Sequence, residues 1–283
     1  MAITNFIPEY WSSKILVALR DKLTYAQPNV INRNYEGEIR QAGDTVHITN
    51  FVDPSTRAYT RNDPISYDIL TDATRALVID QERYFAFSVD DVDRRQALGG
   101  FVEEATTGAS YNLAADADEY VGGLMLAGVD VGNQLGAETV ADGEDAYDLL
   151  VELRTLLTRS NTPAQGRFAI VPPEFYALLL KSDLFVRADA SGTTEGLRNG
   201  FVGRAAGFDI IESNVVPEDS GGAFGVIAGH SIATTYAEQI VKTEALRLET
   251  TFGDGIRGLH VYGAKVVRPT NLASALVTVG GSA

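Results

Sequence analysis

Three histidines are the first candidates for metal binding or acid–base catalysis in this 283-residue chain. They are His47, His230 and His260, and none lies at helical metal-ligand spacing from another. His230 stands between Gly229 and Ser231, but the G-x-S-x-G pattern of a nucleophilic serine is absent. These patterns favour structural or surface histidines, so we expect no catalytic residue, no metal site and no cofactor.

Acidic side chains form two clusters, one at Asp116, Asp118 and Glu119 and one around Asp142. Neither cluster follows the calcium-loop pattern of alternating acids, a central glycine and a terminal glutamate. An exposed helix face and an acidic helix start are the favoured interpretations. A soluble hydrolase with scattered paired carboxylates, as in glycosidases, stays open as an alternative, although no pattern points to it.

The charge balance is strongly acidic. The chain has 38 Asp and Glu against 23 Lys and Arg, and no Lys or Arg occurs from Gln96 to Leu153. A protein that binds DNA through its phosphates needs a basic face, so this composition argues against sequence-specific DNA binding. It does not argue against a protein that encloses DNA, because an acidic surface repels DNA or attracts a basic partner.

The chain has no cysteine, which excludes disulfides and thiolate metal sites. Its N-terminus lacks the basic start of a signal peptide, and Lys14 and Arg20 interrupt the apolar run. No apolar run reaches membrane-spanning length. We therefore expect a soluble protein that starts inside the cell and has no membrane partner, which disfavours an exported adhesin or surface-layer protein.

The N-terminal half predicts three successive elements. An amphipathic helix is expected from Pro8 to Leu23, followed by a long hairpin with a polar tip between Gly43 and Val89. Helical spacing of apolar residues then predicts a long helix from Asp91 to Gly128, roughly 55 Å if unbroken. Ser88 and Asp91 have the spacing of a capping box at its start.

The second half predicts alternating helices and strands. Helices are expected at Asp142 to Arg159 and Pro173 to Lys181. The expected strands are Arg167 to Val171, Phe208 to Ser213, Ala223 to Ala228, Leu259 to Arg268 and Leu276 to Val279. Helices packed against a sheet in this order predict the α+β class.

This order of arm, hairpin, long helix and mixed domain resembles the Hong-Kong-ninety-seven-type capsid fold, also called the Johnson fold. Local sequences are similar to P-twenty-two-type phage coat proteins. They are IDQ at 79–81, YFAF at 84–87, VDD at 89–91, FAIVPPEFY at 168–176, GFDIIESNVVP at 207–217, YAEQ at 236–239 and GLHVYGAKVVRP at 258–269. The chain is identified by this resemblance as a major capsid protein of a tailed bacteriophage.

The resemblance implies a division of the chain into capsid-fold parts. They are an N-terminal arm at 1–42, an E-loop at 43–90, a P-domain spine helix at 91–128, an A-domain at 129–228, P-domain return strands at 229–264 and C-terminal strands at 265–283, which would join the A-domain. The extra inserted domain of the type member has no room here, and no long leader precedes the arm. A separate scaffolding protein is therefore expected.

The resemblance also implies where copies of the chain meet. The E-loop is expected to contact a neighbouring copy through Arg57, Tyr59, Arg61, Asp63 and Tyr67, and the arm through Trp11, Ile15 and Leu19. An acidic face toward the shell interior is expected from Glu103, Glu104, Asp116, Asp118 and Glu119.

The implied function is that of a non-enzymatic structural subunit. It would self-assemble as pentamers and hexamers into the icosahedral head that encloses double-stranded DNA without reading its sequence. Expected partners are a scaffolding protein and a portal, with a decoration protein left open; the location is the virion, after assembly in the cytoplasm of the host bacterium. An encapsulin-like shell around a cargo enzyme is the nearest alternative.

Overall fold

The computed structural model describes residues 23–34, 45–48, 75–90, 101–182, 204–248 and 253–280. The helices in these ranges are α1 (Phe101–Ala127), α2 (Gly143–Arg159) and α3 (Pro173–Lys181). The strands are β1 (Thr45–Ile48), β2 (Arg75–Val78), β3 (Gln81–Asp90), β4 (Gln134–Val140), β5 (Arg167–Val171), β6 (Arg204–Ala205), β7 (Phe208–Glu212), β8 (Phe224–His230), β9 (Thr234–Arg247), β10 (Gly253–Val266) and β11 (Leu272–Val279). Mixed helix and strand confirms the α+β class.

The strands form three sheets. A six-stranded sheet has the order β4-β11-β8-β5-β7-β6, a three-stranded sheet has the order β3-β10-β9, and β1 pairs with β2 as an antiparallel ribbon. The ribbon ends beside β10 at Gly263, where an added Cβ would overlap the Val78 carbonyl oxygen. Only glycine permits that approach, so Gly263 fixes the base of the ribbon against the three-stranded sheet.

Alternating residues of the six-stranded sheet face two separate cores. Phe168 and Ile170 of β5 belong to a core that contains α1 and residues 23–31. Ala169 and Val171, which point the other way, belong to a core filled by α2 and α3. The sheet is therefore covered on both faces, and its central strands are mostly apolar.

The termini of α2 follow from its flanking residues. The Asp142 carboxylate accepts hydrogen bonds from the backbone N–H groups of Glu144 at 2.9 Å and Asp145 at 3.0 Å, as an N-cap does. After the last turn, Asn161 takes a positive φ of 55°, which ends the helix. Both bounds agree with the sequence prediction within one residue.

One expectation needs correction, and two strands were not predicted from their residues. Ser88 does not cap a helix, because it lies in β3 opposite Gly255, and pairing with β10 satisfies the backbone up to Asp90. Strand β4 was not predicted, because its exposed and half-buried residues lack a clean alternation. Strand β9 was not predicted from its residue pattern, because Glu238 and Lys242 interrupt it, although the resemblance implied return strands at 229–264.

The predicted domain boundaries stay a prediction. The arm helix and the tip of the hairpin lie outside the described residues, as do residues 91–100, so the start of the long helix is described only from Phe101. Within the described part of the chain, no helix is long and apolar enough to span a membrane.

Arg167 donates hydrogen bonds to residues at the C-terminal end of α2 and directly after it. The residue is 4% exposed, and its guanidinium donates to the carbonyl oxygens of Pro163 at 2.8 Å and Thr162 at 2.6 Å, and to the Thr158 hydroxyl at 3.0 Å. No carboxylate pairs with it among the described residues, so carbonyls near the negative end of the helix dipole compensate its charge. Burial, and then the charge of Arg154, lowers the pKa of Arg167.

Replacement of Arg167 by Met should lower the free energy of unfolding by about 2–4 kcal/mol, because it leaves buried carbonyl groups without donors. The control is Arg159→Met, at an exposed position in the last turn of the same helix, which should change it by less than about 1 kcal/mol. Urea denaturation of the two variants measures the difference. Equal effects would show that Arg167 does not support the helix end.

Candidate functional site: the anchor of the N-terminal segment

Residues 23–34, here called the anchor segment, pack against the body of the subunit. Its apolar side chains are buried, and they are Leu23, Tyr25, Ala26, Val30 and Ile31. The Tyr25 ring lies on Gly122 of α1, where an added Cβ would be 3.2 Å from Cζ of the ring. Although this segment has little regular structure, its apolar side chains are buried as part of the core.

Asp118 of α1 holds the first half of the anchor segment. Its carboxylate accepts three consecutive backbone N–H groups, from Thr24 at 2.6 Å, Tyr25 at 2.9 Å and Ala26 at 3.2 Å. The residue is only 3% exposed. These bonds satisfy backbone donors that would otherwise be buried without partners.

The pKa of Asp118 is raised to about 6. Burial is the largest cause, since a carboxylate loses its hydration there, and the nearby charge of Glu238 raises the pKa further. The three N–H donors act in the opposite direction but do not cancel the effect of burial. Asp118 is therefore a carboxylate whose charge the anchor segment only partly compensates.

Glu238 of β9 holds the second half. It forms an ion pair with Arg33 of the anchor segment and accepts a hydrogen bond from the Tyr236 hydroxyl at 2.8 Å. The Nε2 atom of His260 lies 3.3 Å from the same carboxylate oxygen that Tyr236 contacts. Arg33 also donates to the Ala26 carbonyl at 3.1 Å, which closes the anchor segment on itself.

The pKa of Glu238 shifts the other way from that of Asp118. Burial alone would raise it, but the hydrogen bond from His260, the charge of Arg33 and the Tyr236 hydroxyl outweigh burial and lower it to about 2. Arg33 lies over the Tyr236 ring as well, with its Cζ 5.3 Å from the ring centroid. In this cluster, the Arg33 guanidinium and the donors of Tyr236 and His260 compensate the negative charge of the Glu238 carboxylate.

Backbone pairing joins the second half of the anchor segment to β9. Asn32 donates its N–H to the Thr234 carbonyl at 2.9 Å and accepts from the Tyr236 N–H at 3.0 Å. The anchor segment thus adds a short parallel bridge to the edge of the three-stranded sheet. Both ends of the segment, and so the points where the chain leaves it, are fixed relative to the body.

The arrangement does not resemble an active site. Glu238, Tyr236 and His260 are buried, so no substrate reaches them in this fold. His230 accepts a hydrogen bond at Nδ1 from the backbone N–H of Ile232, 3.2 Å away, and so it stabilises the turn in which it lies. In the described part of the chain, no three acidic or histidine side chains come together as a metal site. The cluster is suited to holding a segment in place.

The predicted contact residues have different outcomes. The arm residues Trp11, Ile15 and Leu19 and the E-loop residues Arg57, Tyr59, Arg61, Asp63 and Tyr67 lie outside the described residues. The side chains of Glu103 and Glu104 also lie outside them, although both belong to α1. Their roles stay predictions.

The acidic cluster on α1 needs a correction. Asp116 and Glu119 are exposed, as predicted, but Asp118 is buried and cannot belong to an exposed acidic face. Consecutive helical residues point about 100° apart, so Asp118 falls in line with Ala114, Val121 and Met125 of the buried stripe. That spacing was present in the sequence and could have identified Asp118.

The cluster around Glu238 was missed by the sequence analysis. Glu238 follows Tyr236 by two residues, so both lie on one face of β9, and Tyr236 is buried. The pairing with Arg33 joins residues 205 positions apart. A buried aromatic two residues away was the available signal for Glu238, but nothing local points to Arg33.

Comparisons with known proteins point to one family. A family model described as phage capsid protein matches residues 71–275. A structure from Mycobacterium phage Che8 is 35% identical, covers 97% of this chain and 98% of its own, and superposes with a TM-score of 0.71. None of the curated proteins matches the chain.

More distant structures share the fold alone. The capsid of cyanophage P-SCSP1u is 15% identical, with 86% of this chain and 85% of its own covered and a TM-score of 0.68. A virus-like particle from Pyrococcus furiosus is 13% identical, with 95% and 98% covered and a TM-score of 0.58.

The opposite pKa shifts of Asp118 and Glu238 predict that their contributions to the free energy of unfolding change with pH in opposite directions. The folded-state pKa of Asp118 is about 6 against an ordinary value of 3.8, so its contribution to the free energy of unfolding falls as pH rises from about 4 to 6. The pKa of Glu238 is about 2 against 4.5, so its contribution is present above pH 4.5 and is lost as pH falls toward 2.

Urea denaturation between pH 2 and 8 tests both signs by comparing each variant with the parent chain. Asp118→Asn should remove a decline of about 2–3 kcal/mol between pH 4 and 6. Glu238→Gln should remove a loss of similar size below pH 4.5, and Asp116→Asn, at an exposed neighbour, should remove neither. Parallel curves for parent and Asp118→Asn would refute the assignment.

Proposed function

The chain belongs to the family of phage capsid proteins, and we propose that it builds the icosahedral head of a tailed bacteriophage around double-stranded DNA. Membership of this family establishes that the chain is a structural subunit of a capsid shell. The finer assignments concern which segments join the copies and which surface meets the genome. We assign no enzymatic step to the subunit.

The fixed position of the anchor segment supports the proposal that it belongs to the body of the subunit, while the segments before and after it contact other copies. Residues before it would form an arm whose Trp11, Ile15 and Leu19 pack on another copy. Residues after it lead to the β1–β2 ribbon and to the loop with Arg57, Tyr59, Arg61, Asp63 and Tyr67, which would also contact another copy. Because Asp118 and Glu238 fix the anchor segment, the arm would start from a rigid point, whereas the loop would start from the β1–β2 ribbon beside Gly263.

The loop would join the copies without covalent bonds. Between Gly43 and Asp90 the chain has four arginines and no lysine. An arginine stays protonated and does not act as the amine nucleophile of an isopeptide bond. Ion pairs, apolar contacts or a decoration protein would then supply the strength of the shell.

The exposed acids of α1 would face the genome. Glu119 forms no ion pair among the described residues, and Asp116 has only Arg83 at 3.7 Å. Together with Glu103 and Glu104 they would repel the outermost DNA layer, because the interaction is screened beyond about 8 Å at physiological salt. Before packaging, the same face would suit a basic segment of a scaffolding protein.

The remaining partners follow from this assignment. The subunits would form pentamers and hexamers, with a portal at one vertex, in the host cytoplasm before they become part of the virion. The alternative is an encapsulin-like shell, and the likeness to the virus-like particle from Pyrococcus furiosus, which is limited to the fold, keeps it open. DNA inside the particles favours the phage head, and an enclosed enzyme favours the alternative.

One structure of the assembled particle tests these proposals together. An electron cryo-microscopy map should place residues 49–74 on a neighbouring copy and Glu119 on the interior surface, beside density for DNA. A loop folded on its own subunit would contradict the first proposal. Glu119 on the exterior would contradict the second.

A further inference from the structure

A cleft lies beside the anchor segment, between α1 and the end of β7. It has a volume of about 390 Å³, which is within the range of sites that take a small ligand. Its lining comes from three parts of the chain, which are Thr24 of the anchor segment, four residues of α1 and residues 212–215. An occupant of this cleft would therefore contact the anchor segment, the long helix and the six-stranded sheet at once.

The cleft reaches a buried charge. Asp118 lines it, although the residue is only 3% exposed. Its Oδ1 atom accepts two backbone N–H groups, whereas Oδ2 accepts only that of Thr24, at 2.6 Å. A carboxylate has about four acceptor positions, so one position on Oδ2 has no donor among the described residues. A donor that enters the cleft would find this position open.

The negative charge of the cleft has no counter-charge. Glu212, at the end of β7, is exposed, lines the cleft and forms no ion pair in the described part of the chain. Within that part, no lysine, arginine or histidine lines the cleft. Buried charges are usually paired, because a carboxylate that leaves water loses its hydration. A cation from outside the subunit would supply the pairing.

The remaining lining favours one class of cation. Ala114, Ala115 and Val215 give the cleft apolar side chains. A metal ion makes no use of such side chains, and the described residues do not bring together the three acidic or histidine side chains of a metal site. An alkylammonium group uses both features, since its N–H donors suit a carboxylate and its methylene groups suit an apolar wall.

We propose that this cleft binds an alkylammonium group, with the ammonium on Asp118 and the carbon chain against Ala115 and Val215. In a short aliphatic diamine, the second ammonium would meet Glu212. The same chemistry comes from a free diamine or from a lysine side chain of another protein. Either would hold the anchor segment more firmly, because it would pair the carboxylate that accepts the Thr24 N–H. The inference goes beyond the role of the subunit in a shell and does not depend on assembly.

Calorimetric titration of the full chain with 1,4-diaminobutane, at pH 7.5 and constant ionic strength, tests the site. We expect saturable binding of one diamine per chain. Ala115→Leu fills the cleft and keeps both carboxylates, so it should weaken binding at least tenfold. Ala127→Leu is the matched control, because Ala127 also lies on α1 but does not line the cleft, and it should change the affinity less than twofold. Equal affinities for the two variants would overturn the inference.

Titration with n-butylamine distinguishes the two sources, since this amine has the ammonium and chain of a lysine side chain. A free diamine is identified if 1,4-diaminobutane binds at least fivefold more tightly than n-butylamine and loses this advantage in Glu212→Gln. Equal affinities of the two amines for the parent chain identify a lysine side chain. Absence of saturable binding of both amines would overturn the inference and leave the proposed function intact.

The pH dependence of binding reports on Asp118 itself. Its pKa is about 6, so about a tenth of the chains carry its charge at pH 5, and the affinity should be about tenfold lower there than at pH 7.5. Of the nearby titratable groups, Tyr25 stays neutral because burial raises its pKa, and Glu238, with a pKa of about 2, stays charged. Glu212→Gln should keep the tenfold decline. Equal affinities at pH 5 and 7.5 would contradict the placement of the ammonium on Asp118.

Discussion

Two carboxylates buried beneath a short segment of chain are the constraint on which the rest of this subunit depends. Asp118 and Glu238 lie on different elements, α1 and β9, and the anchor segment contacts both. A buried charge is tolerated only where donors or counter-charges surround it, so the segment has one position that satisfies both groups. The helix, the three-stranded sheet and the point where the N-terminal arm begins are thereby held in one relation.

The buried carboxylates of Asp118 and Glu238 are compensated in different ways. Among the described residues, Asp118 has only backbone N–H donors, which compensate part of the lost hydration, and its pKa rises. Glu238 has a guanidinium, a tyrosine hydroxyl and an imidazole nitrogen, and its pKa falls. The first anchor depends on the position of the backbone and the second on specific side chains, so changes in sequence near each anchor should be tolerated unequally.

Local patterns predicted much of the fold. Helix α2, strand β5 and helix α3 were predicted because capping residues, proline and apolar spacing act within a few residues of each other. The pairing of Arg33 with Glu238 was not, because it joins residues 205 positions apart. Asp118 was assigned to an exposed face because an acidic residue beside two other acids favours solvent, yet its helical register places it in the buried stripe.

A capsid shell repeats one chain many times, so segments that join the copies must leave each copy in the same direction. If the arm contacts another copy as proposed, the anchoring of residues 23–34 would set that direction before assembly, and less conformational entropy would be lost when copies associate.

Amide hydrogen exchange at Thr24, Tyr25 and Ala26 tests the role of Asp118 most directly. We expect slow exchange at these three amides in the parent subunit and about 100-fold faster exchange in Asp118→Ala, corresponding to about 3 kcal/mol of lost local stability, with β8 unchanged. Asp116→Ala, at an exposed neighbour, should leave all of them slow. Unchanged protection in Asp118→Ala, or an equal loss throughout the core, would contradict the claim that this carboxylate holds the anchor segment.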